Sequence, residues 1–368
     1  MPVTDGRGLN RFIAFPYDHY RGDPQWVPQL RRDVHTLLSP ARNPFFQHAE
    51  AQYFLAVRRS DGRAVGRIAA IKNDAHNRVH EDRVGFYGFF ESADDPAVAA
   101  ALFDAAAAWL RGKGCDTMRG PMSPSINDEC GLLIHGFDSP PTLLMPHNPA
   151  YYVGLHDTNR FVKAMDLLVY QVDAGTGPPE RYERAATLIA QRKGIRLRPL
   201  NMKRFAAEVE LVKRLYNQAW ERNWGFVPLT EAEIDHLAKQ LKPIVVPDYV
   251  CFAERGGDVV GFAVALPDLN MALKHNPSGR LFPGILKVLW HARRIPRTRV
   301  ALLGVVPELR GSGVDALMYH WIWTHAVRHG TTWGEAGWIL ENNPVMRHGA
   351  ERMGFRHYKT YRVYDKPL

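Results

Sequence analysis

Val305-Val306-Pro307-Glu308-Leu309-Arg310-Gly311-Ser312-Gly313-Val314 decides the reading of this chain, because of what stands on either side of it. Residues 300–306 form a continuous apolar run, the pattern of a strand covered on both faces. After the turn, Val314, Leu317, Met318, Trp321, Ile322 and Ala326 recur at helical spacing. A glycine-rich passage from strand to helix aims several backbone N–H groups at one point, and the helix adds its positive end. Gly311 and Gly313 let the backbone come close to a ligand there. A pyrophosphate fits such a corner. Without a ligand, the same turn is a tight joint that packs a helix on a sheet.

Outward from the turn, the second half reads as strand, helix, helix, hairpin, insert, strand, helix, strand, helix, strand. The spacing predicts a strand over 195–200 and a helix over 203–223. Thr230 with Glu233 reads as a capping box that opens a second helix, ending near 241. Strands over 249–254 and 259–266 flank the Gly256-Gly257 turn as a hairpin. Beyond the central helix come a strand over 333–340, a short helix over 344–353 and a closing strand over 355–364.

The first half follows a similar plan. A hairpin over 53–57 and 65–71 turns at Asp61-Gly62, followed by a strand over 84–91 and an alanine-rich helix over 96–112. A strand at 132–134, a short helix over 150–157 and a final strand over 161–171 complete it. The two halves read as a diverged duplication. Glycine and proline dominate 173–180, which makes it the linker between a domain at 1–172 and one at 181–368.

The bulk numbers agree with this plan. A chain of 368 residues is long for one core and suits two domains. With 46% hydrophobic and 23% charged residues it is a folding chain rather than a disordered one. Its three cysteines, Cys115, Cys130 and Cys251, are scattered, which excludes a disulfide framework or a zinc knuckle. The start, MPVTDGRGLNRF, carries no apolar core of a signal peptide, and no apolar run reaches the ~18 residues of a membrane span. The expected setting is cytoplasmic, with a peripheral place at the inner membrane face as an extension. Net charge is +9, and Lys274, Arg280, Lys287, Arg293, Arg294, Arg297 and Arg299 fall between Leu269 and Pro307 with no acidic residue among them. Such a cluster suits phosphate groups.

At this point the sequence resembles the GNAT acyltransferase superfamily. Arg310–Val314 looks like its R/Q-x-x-G-x-G/A acyl-CoA signature. Asn343-Pro344 followed by Met353-Gly354-Phe355 resembles its second signature. The first half echoes the second signature in Asn148-Pro149-Ala150-Tyr151-Tyr152 and Arg160-Phe161. The resemblance implies an α/β (α+β) fold of two tandem GNAT-like domains, each a mixed, splayed, mostly antiparallel sheet flanked by helices. It implies acyl-CoA as acyl donor, its pantetheine arm lying between two diverging strands. Val305, Val306, Arg310, Gly311, Ser312, Gly313, Val314 and Asn343 would be the residues around the cofactor. Asp315 stands where the signature ends in a small residue, and Ala350 where the superfamily often has a proton-donating tyrosine. Before the first-half helix stands Glu91-Ser92-Ala93-Asp94-Asp95, whose carboxylates would reject a phosphate. Only the second half is therefore expected to bind CoA. As a whole, with Gly120-Pro121, Ser125–Gly131 and Asn223-Trp224-Gly225-Phe226, the chain is similar to bacterial tandem-GNAT proteins, a group that includes bacterial ceramide synthases, which N-acylate sphingoid bases.

Acylating an amine needs a base for the ammonium proton and a donor to polarise the thioester carbonyl. The resemblance implies backbone N–H groups at Val305-Val306 as the carbonyl donors. Glu335, Glu341 and Asp268 are the candidate bases in the second half. In the first half Asn127, Glu129 and Tyr152 are polar residues amid apolar sequence and are candidates for an acceptor site. Each is equally at home in a salt bridge or a loop network. His325 with His329, and His76 with His80, share helical spacing, but two histidines do not make a metal site, and no metal is expected.

The insert at about 268–298 is longer than a minimal enzyme of this kind needs. Read as a helix, Ile285, Leu286, Val288, Leu289 and Trp290 form one wide apolar face, with Lys287, His291 and Arg294 as a narrow basic one. That composition suits an anionic membrane surface, met through Lys287, Arg293 and Arg294, or a lid over an acyl chain, or plain core packing. No nucleic-acid motif accompanies the cluster. The expected function is acyl-CoA-dependent N-acylation of a hydrophobic amine, with long-chain acylation of a sphingoid base as its specific form. A small-molecule N-acetyltransferase and a non-catalytic acyl-CoA- or lipid-binding module stand as alternatives.

Overall fold

The computed structural model describes every residue except Arg222, which falls near the end of the helix read over 203–223. The chain divides into two compact units. Unit one comprises Met1–Leu167, Ala272–Trp290 and Lys359–Leu368; unit two comprises Leu168–Met271 and His291–Tyr358. A single cut at 173–180 does not reproduce this partition. Two segments that follow the cut in sequence take part in the first unit.

In chain order, unit one begins with α1 (Gly6–His19) and α2 (Arg31–Leu37). The hairpin β1 (Ala49–Val57) and β2 (Ala64–Asn73) follows, then α3 (Asp74–His80), β3 (Val84–Ser92), α4 (Pro96–Gly112) and β4 (Thr117–Gly120). A small ribbon of β5 (Met122–Ser123) and β6 (Glu129–Cys130), β7 (Leu132–His135), α5 (Tyr152–Thr158) and the first part of β8 (Val162–Asp173) come next. In unit two stand α6 (Glu180–Lys193), β9 (Ile195–Pro199), α7 (Phe205–Trp220), α8 (Glu231–Leu241), and the hairpin β10 (Val250–Arg255) and β11 (Asp258–Pro267). The insert carries α9 (Asn270–Leu273) and α10 (Gly284–His291). Then come β12 (Arg297–Val305), α11 (Val314–Arg328), β13 (Trp333–Leu340), α12 (Pro344–Arg352) and β14 (Arg356–Pro367).

Each unit repeats one plan. In unit two, β10 pairs antiparallel with β11, β11 antiparallel with β12, and β12 parallel with β13 across α11. In unit one, β1 pairs antiparallel with β2, β2 antiparallel with β3, and β3 parallel with β4 across α4. A strand–helix–parallel strand crossover set on an antiparallel hairpin is thus present twice. The last strand of unit one comes from far away: Tyr364 pairs with Gly120 and Pro367 with Thr117. No local pattern announces that pairing.

The cores follow the same logic. In unit one Phe54, Ile68, Tyr87, Phe90, Leu102, Phe103 and Leu110 pack α4 on the sheet. In unit two Val300, Val305, Val314, Leu317, Met318 and Ile322 pack α11 on the strands of that unit. Most elements lie where their periodicity puts them, and the Thr230–Glu233 capping box forms as read, opening α8. Among the elements that no apolar period announces, α6 stands out, between the linker and the strand that begins at residue 195. This helix buries no residue fully, so it has no strong apolar period. Its ends are nevertheless marked, by Glu180 and Glu183 in the first turn, Arg192 and Lys193 in the last, and Gly194 at φ 61° after it.

The insert folds onto unit one. Arg31 N–H donates to the Gly279 carbonyl at 2.8 Å, and Lys274 Nζ donates to the Pro24 carbonyl at 2.7 Å. Two of the seven cations read as one basic cluster leave it: Arg297 and Arg299 lie on β12, paired with Asp268 and Glu335.

Candidate active site

In unit two the strands that carry the turn part from each other. The parallel pairing of β12 with β13 runs from Arg297–Trp333 to Val300–Ala336 and stops. Beyond it, residues 301–305 and 337–340 continue without pairing to one another. A bulge accounts for the divergence: Val264 opposes Leu302 and Ala265 opposes Val300, so Ala301 has no partner on β11. An extra residue bends its strand and increases the local twist. The result is a gap between two strands, open at its C-terminal end.

The glycine turn stands at that open end. Val306 N–H is committed to the Val260 carbonyl at 3.0 Å, so it faces β11. Val305 N–H, one residue back on the alternating strand, points the other way, into the gap. Of the two amides expected to meet a thioester carbonyl, Val305 is therefore the one free to do so.

The turn itself is held by internal bonds. Ser312 N and Ser312 Oγ both donate to the Leu309 carbonyl, at 3.2 and 2.6 Å. Gly311 and Gly313 adopt φ 70° and 89°, the left-handed region in which glycine is at ease. Among the described residues, Gly311 N and Gly313 N have no backbone acceptor. Gly313 is the N-cap of α11 and offers no capping side chain, so the first turn of the helix, whose Val314 is buried, is left without a cap. Arg310 plays a different part from the one its signature position suggests. Its guanidinium donates to the carbonyls of Gln218 and Ala219 at 3.0 and 3.2 Å and braces the end of α7. Asn343 caps α12 at the end of β13, its side chain accepting from Met346 N–H at 3.2 Å. Asp315 lies one turn before Tyr319, whose hydroxyl is raised by burial and then by the Asp315 charge. Ala350, at the expected tyrosine position, is buried in the core and offers no proton.

Unit one is an internal control. The corresponding helix, α4, is capped by the Asp95 side chain, which accepts from Ala97 N–H at 2.9 Å. A carboxylate already sits where an anion would bind. The corresponding gap is also shut. Phe89 N–H donates to Ser123 Oγ at 2.9 Å, and a Cβ at Gly88 would lie 1.8 Å from the Met122 carbonyl oxygen. One unit has an uncapped corner and an open gap; the other has neither.

The candidate bases of unit two are not gathered together. Glu335 and Asp268 stand near the paired end of β12. Glu335 is 1% exposed, ion-paired to Arg299 at 3.2 Å, and accepts from the Tyr358 hydroxyl. Asp268, also 1% exposed, lies 3.6 Å from Arg297, whose guanidinium sits over the Trp333 ring. Glu341 follows β13 at the opposite end, with its carbonyl accepting from Arg347.

In unit one, Tyr152 belongs to a polar network centred on Glu91, and Glu129 lies near enough to feel the Glu91 charge. Glu91 accepts from the hydroxyls of Tyr20 and Tyr152 and lies 3.5 Å from Arg67. The Tyr152 hydroxyl also accepts from Ser92 N–H at 2.8 Å and meets His19 Nε2 at 2.9 Å. Gln29 donates to Glu129. Burial, reinforced by the charges of Glu91 and Asp128, pushes Glu129 up to about 7. Burial and then Arg67 bring His19 down to about 4. Asn127 stands in the turn where Ser125 Oγ donates to Asp128 at 2.6 Å and accepts from Asn127 N–H at 3.1 Å. Glu91, Tyr20, His19 and Arg67 were not singled out from sequence. Glu91 was legible only as a charge that repels phosphate; His19 and Tyr20 lie at the end of α1, which no apolar period announces, and Arg67 lies on the hairpin strand read over 65–71. Among the described residues no group of His, Cys, Asp and Glu side chains is placed to hold a metal ion.

No family model matches the chain. Two curated proteins are similar to it over nearly their whole length. It is 39% identical to a protein named bacterial ceramide synthase from Caulobacter vibrioides, covering 100% of this chain and 97% of that one. It is 36% identical to the Escherichia coli protein named YghO, covering 98% and 93%. Among solved structures, a tandem GNAT protein from the clavulanic acid biosynthesis pathway superposes with a TM-score of 0.60 at 13% identity, covering 100% of this chain and 97% of that one. At that identity the likeness concerns the fold.

Proposed function

Because the chain belongs to the tandem-GNAT N-acyltransferase family of the bacterial ceramide synthase, we propose that it moves an acyl group from acyl-CoA to a hydrophobic amine, with a long-chain sphingoid base as the acceptor. The observation that carries this reading is the glycine corner before α11, free of a capping side chain and set at the mouth of a strand gap, in a unit whose sister has both features filled. In this reading Gly311, Ser312, Gly313 and Val314 surround the diphosphate, Val305 N–H polarises the thioester carbonyl, and Asn343 borders the opposite wall. The amine nitrogen attacks the thioester carbon, the C–S bond breaks, and an amide and a CoA thiolate result. The thiolate takes its proton from water, since Ala350 has none to give.

The base must accept the ammonium proton near neutral pH. Glu335 and Asp268 are each engaged by an arginine near the paired end of β12, away from the glycine turn. Glu341 follows β13 at the open end of the gap, the end at which the glycine turn stands. We assign it that role. Glu341→Gln is expected to lower kcat by about 100-fold while leaving acyl-CoA affinity unchanged. An unaltered kcat removes Glu341 from the mechanism.

The reading as a whole is tested by thiol release from acetyl-CoA and palmitoyl-CoA over a panel of amines that includes sphinganine. Turnover is expected to need the long acyl chain and the long-chain amine together. Turnover with acetyl-CoA and a small amine would make it a small-molecule acetyltransferase instead. Tight acyl-CoA binding with no thiol released from any pair would make it a binding module.

A further inference from the structure

The insert helix α10 has two apolar faces rather than one apolar and one basic. Gly284 and Val288, one turn apart, pack inward on unit one. The inward side is fitted closely: a Cβ on Gly284 would lie 2.2 Å from Asn276 Oδ1, and Asn276 is itself buried. Leu286, Leu289 and Trp290, spaced so that they share a face, point the other way. They are 64%, 58% and 69% exposed, and Phe282, just before the helix, is 70% exposed. Large apolar side chains clustered in water on one short helix mark an interaction surface. The charges around them are of one sign. Lys287, Arg293 and Arg294 are exposed, and no acidic residue lies between Leu269 and Pro307.

We propose that segment 281–294 docks the protein on an anionic lipid surface, with Phe282, Leu286, Leu289 and Trp290 entering the interface and Lys287, Arg293 and Arg294 meeting the headgroup phosphates. An aromatic-and-leucine edge bordered by cations is what the boundary between headgroups and acyl chains receives. Each cation near such a surface adds attraction, and the apolar edge makes the contact one of insertion rather than of charge alone. The cations of this segment disfavour a second copy of the same face, since the two sets would repel. The proposal stands independently of the acyl-transfer reading.

The test is co-sedimentation of the full chain with vesicles of phosphatidylcholine, with and without phosphatidylglycerol. Wild-type protein is expected on the phosphatidylglycerol vesicles. Leu286→Ser/Leu289→Ser/Trp290→Ser is expected to weaken that binding by about tenfold or more at low salt, with an unchanged melting temperature. Lys287→Glu/Arg293→Glu/Arg294→Glu is expected to remove the preference for phosphatidylglycerol. Binding lost in the charge variant but untouched in the apolar variant would overturn insertion. Failure to bind vesicles would overturn the proposal outright. If, in that case, light scattering shows a wild-type dimer that the apolar variant dissolves, the face belongs to a second copy of the chain.

Discussion

Gly311→Asp is expected to lower acyl-CoA affinity by about 100-fold relative to Gly311→Asn, equivalent to ~2.7 kcal/mol. The pair is chosen so that only charge differs. Gly311 sits at φ 70°, and a Cβ there meets nothing within 4 Å. Asparagine and aspartate adopt that left-handed conformation more readily than other side chains, so both variants carry the same modest backbone cost. The aspartate adds a carboxylate beside the site assigned to a diphosphate. Two like charges about 4 Å apart near a protein surface repel by roughly 4 kcal/mol, ample for the expected loss. Calorimetry with CoA and with palmitoyl-CoA provides the measurement. Equal affinity in the two variants would show that no diphosphate rests at this turn. Gly313 is a poorer site for the test. A Cβ there would lie 2.9 Å from Ile189 Cδ1 on α6, so any substitution would disturb packing as well as binding.

Glu335→Ala is expected to destabilise unit two by about 3–5 kcal/mol. The carboxylate is buried and faces Arg299, which is also buried. Removing it leaves a guanidinium in the interior with only part of its partners, the Gly337 carbonyl at 3.0 Å among them. The cost is therefore that of an orphaned charge more than of a lost attraction. Replacing both partners, Arg299→Met with Glu335→Leu, is expected to recover most of the stability, because two apolar side chains need no partner. Urea unfolding of wild type, the single variants and the double variant separates these terms as a cycle. A single variant as stable as wild type would mean that water reaches the pair and that it is not an interior ion pair.

What was legible in the sequence, and what was not, follows from the range of the interactions involved. The Gly311–Gly313 turn, the Thr230–Glu233 cap and helix Pro96–Gly112 are set by neighbours a few residues apart, and local pattern reveals them. Helix α6 escaped because its signal lies in its end residues and not in an apolar period. The two-faced character of α10 escaped because Val288 and Leu289 look alike in sequence; only folding turns one inward and the other out. Arg310 matches the signature letter yet holds α7, which no spacing rule could show. The Glu91 network joins α1, β2, β3 and α5, so it exists only once those elements have met.

Residues 359–367 lie beside Thr117–Gly120 in the sheet of unit one. A ribosome delivers the second of those segments long after the first. The earlier-made part of the protein must therefore wait, with one side of β4 uncovered, until residues 359–367 have emerged. Exposed strand edges of that kind invite mispairing. Separate expression of the two sequence halves would leave the first of them permanently short of a strand.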